Sequence, residues 1–171
     1  ASCLVGSEMC IRDRYSIHGN DFKYVGLDLF AENIDNNNEV IPNTKFNNPL
    51  KKIYFRYILK QDPYSIESVA HLLKKFETNT HLIKGNSNHL LKKMDMSKID
   101  YVFLDGGHAY ETVKNDLNYS MSVLQNNGTI LCDDYNLSYA PGVKQAIDEF
   151  STDNNFKCEI IFERFAKIEK N

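Results

Sequence analysis

The sequence has 171 residues, of which 42% are hydrophobic, so it is long enough for one domain with its own core. The formal net charge at pH 7 is −3 and no long stretch gathers basic residues, which argues against nucleic-acid binding through phosphate neutralisation. No apolar run approaches the roughly 20 residues of a membrane helix, and no secretory leader is visible. We therefore expect neither a nucleic-acid nor a membrane partner, and a homo-oligomer is left open.

The four cysteines do not have the spacing of a disulfide framework or of a metal site. Cys3 and Cys10 lie near the N-terminus, while Cys132 and Cys158 lie inside apolar segments typical of strands. There is no CxxC pair and no Cys/His ligand spacing. Free, buried thiols are therefore expected, as in a reducing cytoplasm.

The first fourteen residues differ in character from the rest of the chain. Ser2–Arg14 reads SCLVGSEMCIRDR and has neither a helical nor a strand period. It resembles the translation of a transposase-type sequencing-library adapter found in metagenomic assemblies. We therefore interpret 1–14 as a non-native leader and 15–171 as a single, partial domain. The alternative is a natural disordered N-terminus, which the upstream DNA sequence would reveal.

Along the chain, short apolar segments alternate with helical patterns. Lys23–Phe30 reads as a buried strand, and the asparagine-rich segment after it as a long polar loop. Leu50–Leu59 is apolar and basic, which fits an amphipathic helix or part of a lid. Ser65 is placed to cap a helix whose apolar residues recur at helical spacing as far as Phe76.

The second half of the sequence predicts further elements in the same alternation. The expected strands are Thr80–Lys84, Ile99–Leu104, Thr129–Cys132, Lys157–Arg164 and Phe165–Glu169. The expected helices are His89–Met94, Glu111–Leu124 and Pro141–Phe150. Asn126–Gly128 reads as a helix-ending turn in which the glycine is left-handed.

This order predicts an α/β fold with a Rossmann-like, mostly parallel sheet and a C-terminal antiparallel hairpin. Ligands on such sheets bind beyond the carboxyl ends of the strands. Three of the predicted strands end in acids, namely Asp28, Asp105 and the pair Asp133–Asp134. We therefore expect a binding site at that edge.

Two of these positions suggest nucleoside binding. Asp28 could accept hydrogen bonds from both ribose hydroxyls of an adenine nucleoside, and the loop of Gly85, Asn86 and Ser87 could contact the adenine edge. A surface acid at a strand end and an ordinary turn are the simpler alternatives.

The other acids suggest catalysis or metal binding. In Asp105-Gly106-Gly107-His108 the glycines permit close backbone approach to a ligand, and Asp105 and His108 could act as bases. Adjacent buried acids such as Asp133 and Asp134 are costly unless paired, and a divalent cation shared with Asp105 would offset that cost. A tight turn and a helix-capping acid remain alternatives.

Three segments together resemble a known family: IDYVFLDGGHAYETVKNDL, NNGTILCDDY and PGVKQAIDEF. They resemble class I S-adenosylmethionine-dependent methyltransferases, and within them the macrocin-type O-methyltransferases. The resemblance implies methyl transfer to a hydroxyl of a small molecule or sugar, with S-adenosylmethionine as the cofactor and possible help from Mg²⁺. It implies that Asp28, Gly85, Asn86, Ser87, Asp105 and Gly106 contact the cofactor, that Asp105, Asp133 and Asp134 bind Mg²⁺, and that Asp105 also serves as base.

The resemblance also implies what this chain lacks. Relatives carry a first strand and a glycine-rich loop that cradles the methionine part of the cofactor, and neither is recognisable before Asp28. We therefore expect the chain to bind S-adenosylmethionine weakly or not at all. The acceptor would be recognised by the insertion Ala31–Tyr64. A nicotinamide-dependent Rossmann oxidoreductase, a non-catalytic binding module and a metal-dependent glycosyltransferase are the alternative functions.

Overall fold

The computed structural model describes residues 22–28, 65–94, 96 and 98–170. The strands are β1 (Tyr24–Asp28), β2 (Thr80–Lys84), β3 (Ile99–Leu104), β4 (Leu124–Cys132), β5 (Lys157–Ile161) and β6 (Phe165–Glu169). The helices are α1 (Ile66–Leu72), α2 (Ser87–Leu90), α3 (Tyr110–Val123) and α4 (Pro141–Asp153), with short 3₁₀ turns at Lys74–Phe76 and Leu91–Lys93. The leader 1–14, the insertion Ala31–Tyr64 and the segment Leu50–Leu59 lie outside the described residues.

The strands form two sheets within the described part of the chain. β1 and β2 pair in parallel, and a four-stranded sheet has the order β3-β4-β6-β5. β3 and β4 are parallel, whereas β6 is antiparallel to both β4 and β5. The expected Rossmann-like parallel arrangement with a C-terminal antiparallel hairpin is therefore confirmed.

Local sequence signals set several element boundaries. The Ser65 hydroxyl accepts a hydrogen bond from the Ser68 amide at 3.2 Å, which caps α1 as expected. α4 starts at Pro141, where the missing amide proton costs no helical hydrogen bond. The predicted helix His89–Met94 begins two residues earlier, at Ser87, and continues as a 3₁₀ turn.

The prediction that Asn126–Gly128 forms a helix-ending turn with a left-handed glycine is wrong. β4 already begins at Leu124, directly after α3, and runs through these residues to Cys132. The left-handed residue is Asn127, with φ 64°, and Gly128 does not have a positive φ. Gly128 is needed for space instead, because a Cβ there would lie 2.6 Å from Leu124 Cγ and 2.9 Å from the Gln125 carbonyl oxygen.

The main core lies between the four-stranded sheet and helices α3 and α4. Its fully buried centre includes Leu117 of α3, Ile147 of α4, Ile130 of β4 and Ile168 of β6. Cys132 is buried in the same core, and both it and Cys158 are free thiols, as the sequence predicts. Burial strongly raises the pKa of the Cys132 thiol, which keeps it protonated and unreactive.

A smaller apolar cluster joins α1 to the two-stranded sheet, centred on Val69, Leu73 and Phe76.

Among the described residues, no helix has the length and apolar character needed to cross a membrane.

Candidate active site

The carboxyl ends of β3 and β4 frame a crevice. Asp133 follows β4 and donates its amide proton to the carbonyl oxygen of Leu104, the last residue of β3, at 2.8 Å. This bond places the loops after the two strands side by side. The crevice is lined by Leu104, Asp105, Gly106, Gly107, His108, Val113, Asp116, Cys132, Asp133, Asp134 and Val143. All of the acids that the sequence predicts for β3 and β4 therefore lie in one crevice.

The Asp133 carboxylate is held by a bidentate ion pair with Arg164. Arg164 Nε donates to Asp133 Oδ1 at 2.6 Å, and a terminal guanidinium nitrogen donates to Oδ2 at 2.7 Å. The same Oδ1 also accepts the Asp134 amide proton at 2.7 Å. The hydrogen bonds that Arg164 donates to Asp133, together with the negative charges of Asp133, Asp134 and Asp105, raise the pKa of the Arg164 guanidinium.

Asp134 is paired with His108. Asp134 lies in the left-handed region at φ 60°, which aspartate tolerates better than most residues. Its Oδ2 is 3.0 Å from His108 Nε2, and the His108 ring meets Tyr139 edge-on with 6.1 Å between the ring centroids. The carboxylate and the aromatic ring thus fix the orientation of the imidazole in the crevice.

The proposed nucleoside residues lie at the ends of β1 and β2. The Gly85 amide donates to the Asp28 carbonyl oxygen at 2.9 Å, so the two strand ends are adjacent. Ser87 Oγ then donates to Asp116 Oδ2 at 3.4 Å, which connects the first residue of α2 to α3. Asp116 lines the crevice itself, and a Cβ on Gly106 would lie 3.5 Å from its Oδ2.

These contacts link the strand-end residues into one continuous edge, which we call the acidic edge. It consists of Asp28, Gly85–Ser87, Asp105–His108, Asp116 and Asp133–Asp134. Gly106 has room beyond its backbone, because the Asp116 oxygen is the single heavy atom of the described residues that would lie within 4 Å of its Cβ. A ligand could therefore approach the Gly106 backbone closely.

The acids do not form a metal site in the arrangement described. No group of three or more His, Cys, Asp or Glu side chains in the described residues is placed to hold a metal ion. Both Asp133 oxygens accept hydrogen bonds from a guanidinium, and an Asp134 oxygen pairs with His108. Mg²⁺ binding by Asp105, Asp133 and Asp134 stays a prediction.

Two residues of the site were not anticipated from sequence. Asp116 is buried on α3 and lies three residues after Val113, which belongs to the predicted apolar stripe. This helical spacing indicates that Asp116 faces the same side of the helix as the stripe. The sequence predicts Arg164 as the last residue of a strand, but it lies in the turn between β5 and β6. Nothing local in the sequence indicates its pairing with a residue 31 positions away.

The sequence matches the family model described as "Methyltransferase domain" over residues 8–135, which is 128 of the 171 residues. The chain belongs to this family of methyltransferase domains. The assignment as a class I methyltransferase is therefore confirmed, while the macrocin-type subgroup stays a prediction. The match includes every site residue that the sequence predicts and ends before Arg164. No curated protein sequence matches the chain.

Solved structures support the same fold at low sequence identity. The chain is similar to the O-methyltransferase NovP, with 17% identity and a TM-score of 0.68 over 97% of this chain and 67% of that one. It is similar to the calicheamicin methyltransferase CalS11, with 18% identity and a TM-score of 0.61 over 96% and 66%. Cofactor-bound Rv0187 from MTB aligns at 9% identity and a TM-score of 0.57 over 100% and 83%. The chain thus spans about two thirds of the length of NovP and CalS11.

Proposed function

We propose that this domain transfers a methyl group from S-adenosylmethionine to a hydroxyl of a small molecule or sugar. The observation that carries the proposal is the acidic edge. There, the ends of four strands bring together residues suited to bind a nucleoside and residues suited to act as a general base, beside the exposed backbone of Gly106. Membership of the methyltransferase-domain family supports it. The proteins NovP and CalS11, which share the fold, are described as an O-methyltransferase and a methyltransferase.

The residues of the acidic edge fit the cofactor by their chemistry. Asp28 would accept hydrogen bonds from the ribose hydroxyls, and the polar Gly85–Ser87 loop beside it would contact the adenine. Asp105 and Gly106 would approach from the neighbouring sheet, where the exposed Gly106 backbone leaves room for a ligand. S-adenosylmethionine, when bound, supplies an electrophilic methyl group on a sulfonium.

Two groups in the crevice could remove the proton from the acceptor hydroxyl. Asp105 is half-buried at the end of β3 and can take a proton directly. His108 can do so through Nδ1 when its Nε2 carries the proton that bonds to Asp134. Either base would also help to hold the hydroxyl in line, and positioning supplies much of the acceleration in such transfers.

Of the two outcomes that the sequence leaves open, weak binding and no binding, the proposed function requires weak binding. Saturation-transfer NMR at millimolar S-adenosylmethionine tests this, because it detects weak binding. We expect transfer to the adenine and ribose protons, a clear reduction in Asp28→Asn, and no change in Asp153→Asn. Asp153 is an exposed acid at the far end of α4, so the control has the same chemical change away from the acidic edge. Absence of transfer from the unmodified chain, or transfer to NAD⁺ in preference, would contradict the proposal.

A further inference from the structure

The carboxylates of the acidic edge need a cation nearby to balance their negative charge, and the turn between β5 and β6 supplies Arg164. Asp133 has a side chain only 6% exposed, and Asp105 and Asp134 line the same crevice. Carboxylates crowded together with little access to water repel one another unless a cation balances them. Arg164 pairs with both oxygens of Asp133 and lies 3.9 Å from Asp134 Oδ1.

Arg164 is attached to the acid loop through its backbone as well as its side chain. Its carbonyl oxygen accepts the Tyr135 amide proton at 2.8 Å, directly after the acid pair. Its own amide donates to the Ile161 carbonyl oxygen at 3.2 Å, which closes the hairpin turn. Phe162 and Glu163 in that turn both have positive φ, at 52° and 56°. The turn therefore delivers the guanidinium to the acids in one defined position.

From these contacts we infer that Arg164 is a cation built into the acidic edge and that it competes with divalent metal ions for Asp133. A guanidinium that bonds both oxygens leaves that carboxylate no bidentate position for a metal ion. The Arg164 side chain is nevertheless 60% exposed, so it can leave Asp133 without disturbing the core. This competition does not depend on the proposed function.

Direct titration with Mn²⁺, followed by electron paramagnetic resonance without cofactor or acceptor, measures this competition. We expect Arg164→Gln to bind Mn²⁺ at least about tenfold more tightly than the unmodified chain, and Arg164→Lys to lie between them. The gain should disappear in the double variant Arg164→Gln/Asp133→Asn, because the released carboxylate is then absent.

Lys157→Gln is the matched control, since it removes one positive charge from the same hairpin. Lys157 lies at the other end of β5 from the turn, about 13 Å away along the strand, and its replacement should leave Mn²⁺ affinity unchanged. Circular dichroism of each variant verifies the fold. Folded Arg164→Gln that binds Mn²⁺ no more tightly than the unmodified chain, including no binding by either, would overturn the inference.

A second measurement does not depend on removing Arg164. In the unmodified chain, the Nε–H resonance of Arg164 should be protected from exchange and should move on Asp133→Asn substitution. An Nε–H signal that exchanges freely and ignores this substitution would also overturn the inference, because the ion pair would then be absent in solution. Neither readout involves methyl transfer, so the proposed function can fail without affecting this result.

Discussion

Gly106 and Gly128 both lie at the four-stranded sheet, but they differ in the space that a side chain would find there. Gly128 is buried in β4, where an added Cβ would collide with the Leu124 side chain and with the Gln125 backbone oxygen. Gly106 follows β3, and of the residues that the structure describes, Asp116 alone would meet an added Cβ, at ordinary van der Waals distance. The first glycine is therefore required by packing, while the second leaves room for a ligand.

Alanine substitution should separate these two roles. Gly128→Ala should lower the free energy of unfolding by about 1–3 kcal/mol, because the backbone contact cannot relax as a side chain would. Gly106→Ala should change it by less than about 0.5 kcal/mol but weaken nucleoside binding at the acidic edge. Urea unfolding and saturation-transfer NMR measure the two effects. Equal stability losses in both variants would contradict this assignment.

The part of the candidate site that could be predicted from sequence consists of the acids that directly follow clearly apolar strands. Asp105 and the pair Asp133–Asp134 end apolar strands, and the topology then brings them to one edge. The partners of these acids were not predictable. The Arg164 ion pair joins a turn and a loop far apart in the chain, and only the β4–β6 pairing brings them together.

At the scale of elements, α3 and α4 are joined at the start of α3. A Cβ on Gly142 would lie 3.0 Å from the Tyr110 amide nitrogen, so glycine permits the close approach of the two helices. The Tyr110 hydroxyl then donates a hydrogen bond to Glu149 Oε2 at 2.5 Å and accepts one from Lys114 Nζ at 2.9 Å. The hydrogen bond from Tyr110 lowers the pKa of Glu149.

This lowered pKa gives a prediction with a defined sign. Because the folded state favours the ionised Glu149, its contribution to stability is present above the unfolded-state pKa and is lost as the pH falls through the folded-state pKa. Tyr110→Phe should raise the pKa of Glu149 toward its ordinary value. Carboxyl ¹³C titration by NMR measures it, and Glu169, whose pKa is lowered by Lys167, is the internal control. An unchanged pKa of Glu149 in Tyr110→Phe would contradict the prediction.

Several element boundaries follow from local sequence, and β4 shows where this fails. β2 and β3 have the predicted bounds, since turn residues or glycine end their apolar segments. The start of β4 depends on its pairing with β3, where Ile99 lies opposite Leu124 before the register shifts. This pairing extends the strand through the Asn126–Gly128 segment, despite its turn-like composition.

At the scale of the whole molecule, the account depends on two sheets sharing one binding edge. β1 and β2 carry Asp28 and the Gly85–Ser87 loop, while β3 and β4 carry Asp105 and the acid pair. The contact from Ser87 to Asp116 connects them across α3. The edge itself could be predicted from the alternation of strands and helices, whereas the contact through Asp116 could not, because it depends on side-chain packing.

Amide chemical-shift mapping of the ¹⁵N-labelled chain with millimolar S-adenosylhomocysteine tests this shared edge most directly. We predict that the largest shifts occur together at the amides of Gly85–Ser87 and Gly106–His108, one group from each sheet. Shifts restricted to one sheet, shifts centred on the far end of the β5–β6 hairpin, or no shifts at all would contradict the account.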